Sequence, residues 1–337
     1  MNRFDYVRAD TVADAIKALG GDPNARFIAG GTNLVDLMKY NVEKPGRLVD
    51  ITRLPLKSIE EHAGGLRIGA LVSNADLAYD ERIQARYPLL ASAILAGASA
   101  QLRNAASTGG NLNQRTRCYY FYDEGTPCNK REPGSGCPAI GGVNRIHAIL
   151  GASESCIATN PSDMCVALAA LEATVQVSGP EGDRAIAFAD YHRLPGDDPS
   201  KDNTIKPGEI VVSVDLPPTD YGQHHTYLKL RDRLSYAFAL VSVAAALELD
   251  GQTVKTARLA LGGVAHKPWR NLEAEALLQG KSATRESFKA AADLVLREAK
   301  PQSENGFKIE LARRAIVRGL EQAAAGTPQS QSDKRIQ

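Results

Sequence analysis

Cys118, Cys128, Cys137 and Cys156 fall in one Gly- and Pro-rich segment, spaced C-x9-C-x8-C-x18-C. Four thiolates can hold a zinc ion or an iron–sulfur cluster. Structural zinc usually takes closely spaced cysteine pairs that make a tight knuckle. No pair here is so close, and wide spacing within one loop favours a larger object with the chain wrapped round it. Scattered free or disulfide-bonded cysteines are the plain alternative. Arg115, Arg117, Lys130, Arg131 and Arg145 are near in sequence and are expected to offset thiolate charge. The fifth cysteine, Cys165, sits in an apolar run and reads as a buried, inert thiol.

A second chemical signal is Phe27–Leu34, FIAGGTNL. A short apolar run ends in Gly30-Gly31, where the backbone can approach a ligand closely. Successive N–H groups in such a turn form a concavity suited to an anion. A plain strand-to-helix turn is the alternative. Gly109-Gly110 repeats the theme after Ser107-Thr108 and before Asn111, so two small-residue turns are expected to line one elongated site. No G-x-x-x-x-G-K-[ST] occurs. A formal G-x-G-x-x-A at Gly134–Ala139 lacks a preceding strand and contains Pro138, so it is rejected as a dinucleotide fingerprint. Turns without a P-loop lysine suit a diphosphate held by backbone N–H groups without metal. Taken alone, Asp163 reads as a charge at a helix start, and Lys229 as a solvated strand lysine. His147, His192, His224, His225 and His266 show no metal-ligand spacing, and no Ser-His-Asp or paired-carboxylate pattern stands out.

The elements that must position these groups are partly readable. Thr11–Leu19 reads as a helix capped by Thr11, Arg47–Ile51 and Leu66–Leu71 as strands, and Ala75–Ala98 as helical. Arg115–Ser155 shows neither helical nor strand periodicity, and irregular segments of this length are uncommon unless functional. A helix follows over Ala158–Ala173, capped by Asn160 or Ser162, and Val175 and Val177 begin a strand. Glu209–Leu216 alternates as a half-buried strand, with Ile210, Val212, Val214 and Leu216 on one face. Pro217-Pro218 marks the best domain boundary. Tyr227–Arg231, Ala239–Leu249 and Ala257–Leu261 read as an antiparallel sheet, although SVAAA is ambiguous. Leu272–Gln279, Arg285–Glu298 and Lys308–Ala324 read as helices, and the polar tail from Thr327 as disordered.

The chain has 337 residues, 43% hydrophobic and 23% charged, with a net charge of +1. That is room for two or three domains, with no general attraction to nucleic acid or membrane. No apolar run is long enough to span a bilayer. MNRFDYVRAD lacks an apolar signal region, so export is expected only in the company of a signal-bearing partner. The residues alone thus point to an α+β protein with a backbone-lined anion site and a cysteine cage, suited to electron transfer with a nucleotide-like cofactor.

FIAGGTNL, STGGNL, TNPSD and TYLKLRDR…YAFALVSVAA, in this order, resemble the FAD-binding subunits of the xanthine dehydrogenase, or molybdenum hydroxylase, family. The resemblance covers about Arg3 to Ala324. The cysteine run RTRC–YFYD–PCNKR–PGSGC and the later GGVAHKPWR are similar to the flavoprotein subunits of bacterial periplasmic aldehyde oxidoreductases, whose insertion holds a [4Fe–4S] cluster. The resemblance implies a PCMH-type, two-subdomain FAD-binding domain over 1–220, with the insertion at about 115–157. A CO-dehydrogenase-flavoprotein-like C-terminal α+β domain would follow over 221–326, and a disordered tail over 327–337. It also implies a FAD site. Arg26, Phe27, Ile28, Ala29, Gly30, Gly31, Thr32, Asn33 and Leu34 would wrap the diphosphate. Ser107, Thr108, Gly110 and Asn111 would form the opposing loop, with Gly97 and Ala98 nearby. Asp163 would bond the nucleotide end, Val211 would reach the cofactor, and Lys229 would lie by the isoalloxazine. Cys118, Cys128, Cys137 and Cys156 would ligate the cluster.

In such an assembly an aldehyde is oxidised at a molybdenum centre in a large partner. Electrons pass through [2Fe–2S] clusters in a small partner to FAD and on to an external acceptor, such as a ferredoxin-like protein. The periplasm is the compartment implied, with a cytoplasmic relative as the alternative. A self-contained flavoenzyme and a zinc-stabilised docking subunit are the other readings these residues allow.

Overall fold

The computed structural model describes residues 1–219 and 221–331. Strand β1 (Asp5–Arg8) leads into α1 (Val12–Leu19), where Thr11 Oγ1 accepts the Asp14 N–H at 3.1 Å, the expected cap. Then come β2 (Ala25–Ile28), α2 (Leu34–Lys39) and β3 (Arg47–Asp50). These three strands form a parallel sheet in the order β1-β3-β2, with Val7 and Phe27 both in register with Val49. Its core gathers Ala15, Leu19, Val49 and Leu54.

Strands β4 (Ile59–His62) and β5 (Gly65–Gly69) open a second sheet. The helical stretch after them is three helices rather than one: α3 (Asn74–Tyr79), α4 (Glu81–Arg86) and α5 (Pro88–Ala96). Asp80 breaks the first by turning extended, and its carboxylate caps the second through the Arg82 and Ile83 N–H groups. Pro88 has no N–H to donate and so begins the third. Two short helices follow, α6 (Ala100–Ala105) and α7 (Thr108–Leu112), so Gly109-Gly110 lies inside a helix rather than in a strand turn.

Residues 115–157 contain one regular element among those described, α8 (Tyr119–Tyr122). Helix α9 (Asp163–Ala170) is capped by Ser162, whose Oγ accepts the Cys165 N–H at 3.0 Å. All of its residues are buried, as its unbroken apolar run requires.

Strands β6 (Thr174–Gly179) and β7 (Gly182–Ala187), helix α10 (Phe188–Tyr191) and strand β8 (Ile210–Leu216) complete the second sheet, order β4-β5-β8-β6-β7. The clean alternation expected of Glu209–Leu216 is not what forms. Val211 and Ser213 are buried while Val212 is half-exposed. Strand β8 lies at the centre of the sheet, covered on both faces, and a register shift at Gln176/Val177 skips Val212.

The chain then enters a third sheet: β9 (His225–Leu230), β10 (Val241–Asp250), β11 (Thr253–Gly262) and β12 (Trp269–Arg270), antiparallel in the order β12-β11-β10-β9. SVAAA is therefore strand, and its alternation has a purpose. Ala244 and Ala246 face the core containing α5 and α9, while Val243, Ala245 and Leu247 face the other way. That second face is covered by α11 (Leu272–Leu278), α12 (Arg285–Val295) and α13 (Phe307–Ala325). Beyond α13 the tail does not leave the surface. Gln329 N–H donates to Thr226 Oγ1 at 3.0 Å and Gln331 Nε2 to the Tyr227 carbonyl at 3.1 Å, so disorder does not describe residues 327–331. Residues 332–337 of the expected tail lie outside the described residues.

Candidate functional site

A cavity of about 590 Å³ opens between the turn after β2, helices α5 to α7, the insertion, the start of α9 and the third sheet. The turn after β2 reaches one wall through Thr32 and Asn33. Gly30 is needed for packing, because a Cβ there would lie 1.7 Å from the Ala105 carbonyl oxygen at the end of α6. Gly31 is needed for conformation, since its φ is +71°. The backbone N–H groups of Gly30, Gly31, Thr32, Asn33 and Leu34 find no acceptor among the described residues. Thr32 and Asn33 line the cavity. Asn33 Oδ1 accepts the Arg115 N–H at 3.0 Å, which leaves its Nδ2 buried without a partner. A buried amide donor without an acceptor is costly in an empty protein and useful in a loaded one.

The second glycine pair behaves differently. Thr108 N–H donates to Val72 O, Gly109 N–H to Ala70 O and Asn111 N–H to Ser107 O, and Gly110 N–H is taken by Ser107 Oγ. This turn therefore has no free amides to offer an anion. Ser107 and Thr108 are buried and hold α7 on the strand side, and only Gly110 and Asn111 reach the cavity. Asn111 Oδ1 accepts from Gln114 Nε2 and Ser162 Oγ, and its Nδ2 donates to Asn74 Oδ1.

Asp163 and Lys229 both line the cavity, but as a pair. Lys229 Nζ lies 2.7 Å from Asp163 Oδ2 and donates to the Ala96 carbonyl at 3.1 Å, and Tyr227 OH donates to Asp163 Oδ1 at 2.7 Å. The pair is almost wholly buried. Two groups in contact cannot mark opposite ends of an extended cofactor, so that part of the expectation is corrected. Lys229 is likewise no solvated strand lysine.

Gly97 and Ala98 line the cavity as expected. Arg26, Phe27, Ile28, Ala29 and Leu34 do not. Arg26 turns to the Pro23 and Ala25 carbonyls and to Glu43, and Phe27 and Ala29 pack on the core of the parallel sheet. Val211 lies behind α7 against Gly109, so its side chain does not reach the cavity. Reading the sequence missed Arg103 and Arg233, and it assigned Arg117 to the cysteine loop alone, whereas all three line the cavity. The Nε atoms of Arg103 and Arg117 are buried without partners. Arg103 donates to the Gly97 carbonyl and Arg233 to the Tyr236 carbonyl, and neither has a carboxylate partner among the described residues. The available signal was weak: Arg103 sits in a short helix immediately before STGGNL.

Cys118, Cys128, Cys137 and Cys156 all line one small second cavity, although 38 residues of chain separate the first from the last. Three are buried and Cys137 is half-buried. Burial pushes the Cys118 thiol up to about 12 and the Cys156 thiol to about 11. Among the described residues, no group of three or more His, Cys, Asp or Glu side chains is gathered closely enough to hold a single metal ion. A four-thiol wall round a space is the donor chemistry of a multi-iron cluster.

Of the cations expected to offset thiolate charge, Lys130 lines the cysteine cavity and acts against the burial that raises the Cys156 thiol, while all five also have partners elsewhere. Lys130 and Arg115 pair with Asp202 at 2.6 and 2.8 Å, Arg117 with Asp36 at 3.0 Å, and Arg145 with Asp232 at 2.8 Å. Arg131 donates to the Tyr120, Phe121 and Thr126 carbonyls. Their main work is to tie the insertion to the scaffold and to itself. Cys165 is fully buried and its thiol is pushed up to about 12 by burial, the inert state expected.

The two cavities share a wall made of Thr116, Cys118 and His147.

Residues 2–219 match the family model described as the FAD binding domain in molybdopterin dehydrogenase, and residues 225–323 the CO dehydrogenase flavoprotein C-terminal domain. The chain is 52% identical to the aldehyde oxidoreductase FAD-binding subunit PaoB of Escherichia coli K12, over 96% of this chain and 99% of that one. It is 29% identical to the glyceraldehyde dehydrogenase medium chain of Sulfolobus acidocaldarius, over 90% of each. Among solved structures, carbon monoxide dehydrogenase of Hydrogenophaga pseudoflava superposes with a TM-score of 0.76 at 27% identity, covering 96% of this chain and 98% of that one.

Proposed function

The chain belongs to the FAD-binding subunits of the xanthine dehydrogenase and carbon monoxide dehydrogenase family, and on that premise we propose that it is the flavin- and [4Fe–4S]-carrying subunit of a heterotrimeric aldehyde oxidoreductase. The observation that carries the reading is the shared wall: a cofactor in the large cavity and a cluster among the four cysteines would be separated only by Thr116, Cys118 and His147. The large cavity fits FAD through the open amides of Thr32 and Asn33, the unpartnered Asn33 Nδ2 and the carboxylate-free Arg103 and Arg233. Thr32, Asn33, Gly97, Ala98, Gly110, Asn111, Asp163 and Lys229 would contact it by side chain or backbone. When bound, FAD can take up two electrons one at a time from a one-electron donor and pass them on singly or as a pair. The chain's part is to hold the diphosphate on backbone donors and to keep the buried Asp163–Lys229 pair fixed beside it.

Substrate oxidation is assigned to a molybdenum-bearing large partner, and delivery of electrons to a small [2Fe–2S] partner. The cluster here would pass them to an external acceptor. The division of the chain near residue 220 is part of the same reading and is supported by the change of sheet between β8 and β9. So is export to the periplasm with a signal-bearing partner. Co-purification tests the assembly: two further subunits are expected, one with a twin-arginine leader, and a chain that purifies alone and oxidises aldehydes would refute it.

Two results check the sites. Exchanging Cys118, Cys128, Cys137 and Cys156 for serine is expected to abolish iron and sulfide content and slow turnover with the external acceptor at least tenfold, with FAD retained. Unchanged turnover would reduce the cluster to a structural role. Gly30→Ala must displace either its own loop or the Ala105 carbonyl. It is expected to lose most of its FAD, read from flavin absorbance per chain, and a normal flavin content would show that the loop does not hold the cofactor.

A further inference from the structure

His147 is not explained by any of the chemistry above. It is 1% exposed, lines both cavities, and its Nε2 lies 3.1 Å from Cys118 Sγ. Its Nδ1 is buried without a partner. The backbone around it is clamped. The His147 N–H donates to the Asn144 carbonyl at 3.0 Å, and the His147 carbonyl accepts from Lys308 Nζ at 2.8 Å and Asn305 Nδ2 at 3.2 Å. Lys308 is itself buried, and it donates to the Ile146 and Gly263 carbonyls as well. The C-terminal helix α13 thus holds the imidazole against one cysteine of the cage.

We infer that His147 is a positioning residue for the second redox centre: its Nε2–H donates to the Cys118 sulfur and raises that centre's reduction potential. This rests on the reading of the four cysteines as cluster ligands. A metal-bound thiolate has no proton, so it can only accept, and the ring must be the donor. A neutral imidazole carries one N–H; placing it on Nε2 leaves Nδ1 bare, which agrees with the absence of any acceptor for Nδ1 among the described residues. Reduction adds negative charge that spreads over the cluster and its sulfur ligands. A fixed N–H dipole aimed at one of them stabilises the reduced form more than the oxidised form. A ring that merely filled space between the cavities would leave the potential where it was.

The test uses the full chain with whatever subunits accompany it. Iron and sulfide are assayed, then the cluster is titrated potentiometrically by electron paramagnetic resonance and the flavin by absorbance. His147→Phe is expected to keep the cluster but lower its potential, so that the reduced-to-oxidised ratio at fixed poise falls on the order of tenfold, about 59 mV for one electron. His147→Gln, which can still present a donor near the Nε2 position, is expected to lie closer to the wild type, and the flavin couples are expected to be unchanged in both. A loaded His147→Phe with the wild-type potential overturns the inference and leaves the cluster reading intact. A wild-type chain free of iron and sulfide defeats the cluster reading and this inference together. If His147→Phe does not assemble the cluster, the wild type decides. Its reduced cluster should couple magnetically to an imidazole nitrogen, which the Ala158 N–H on Cys156 Sγ cannot supply, and absence of that coupling overturns the assignment.

Discussion

Asp163→Ala is expected to destabilise the cofactor-free chain by about 3–5 kcal/mol, because it strands the buried Lys229 ammonium without its carboxylate. Loss of a helix cap is the smaller alternative, on the order of 1 kcal/mol. It does not apply, since Ser162 and not Asp163 caps α9. Tyr227 OH also loses its acceptor, though Ser242 Oγ at 3.0 Å remains within reach. Flavin content should fall with stability, because the same pair lines the large cavity. A double variant, Asp163→Asn with Lys229→Met, is expected to recover much of the stability while flavin stays low. That recovery would separate the cost of a stranded charge from a role in holding FAD. Denaturant titration of the apo chain and flavin-to-protein ratio measure the two effects. An Asp163→Ala chain that unfolds at the wild-type midpoint would show that the pair contributes nothing to the fold.

Asp202→Asn should have a comparable effect through a different region. Asp202 binds two cations of the insertion at once, Lys130 at 2.6 Å and Arg115 at 2.8 Å, and lies 3.8 Å from His266 Nε2. Lys130 is 2% exposed, and its other hydrogen bond is to the Pro199 carbonyl. Neutralising Asp202 leaves Lys130 buried with no carboxylate and Arg115 with Glu43 alone. The expected loss is again about 3–5 kcal/mol, with the insertion's thiols becoming reactive to alkylating reagents before global unfolding.

The same carboxylate has a pH signature. Burial alone would raise the Asp202 carboxyl, but Lys130 and Arg115 outweigh it and hold it down at about 2. An unfolded aspartate titrates at about 3.9, so between those values the unfolded chain binds the extra proton. The stabilisation is therefore complete above about pH 4 and is lost as the pH falls toward 2. In Asp202→Asn that part of the acid limb should vanish. An acid limb identical to the wild type would mean that the Asp202 network does not support the native state.

What could be read in advance, and what could not, divides by range along the chain. The Thr11 cap, the free amides after Ile28 and the strands of the third sheet are local, written in residues within one or two turns of each other. That the four cysteines come together was also legible, from their grouping in one irregular segment. The Asp163–Lys229 pair was misread because its partners are 66 residues apart. Either residue alone looks like a common surface charge. Asp202 escaped notice for the same reason, its partners lying 72 and 87 residues away. The two glycine pairs show the limit most sharply. GGTNL and TGGNL look alike, yet one leaves its amides open and the other spends them on Val72, Ala70 and Ser107. Only the surrounding strands decide which.

The third sheet is covered by helices on both faces. Ala244, Ala246 and Ala260 lie against α9 and α5, and Val243, Leu247 and Leu259 against the C-terminal helices. An alanine row lets backbone approach backbone, so the contact with α9 is broad and close but has little relief to lock it. Neither half of the chain can then expose its share of this seam without showing a flat apolar plane to water. The large cavity takes its walls from both sides of that seam, Ile94 and Met164 from the helices and Lys229, Ser242 and Gly262 from the sheet. Opening the seam would therefore open the cavity with it.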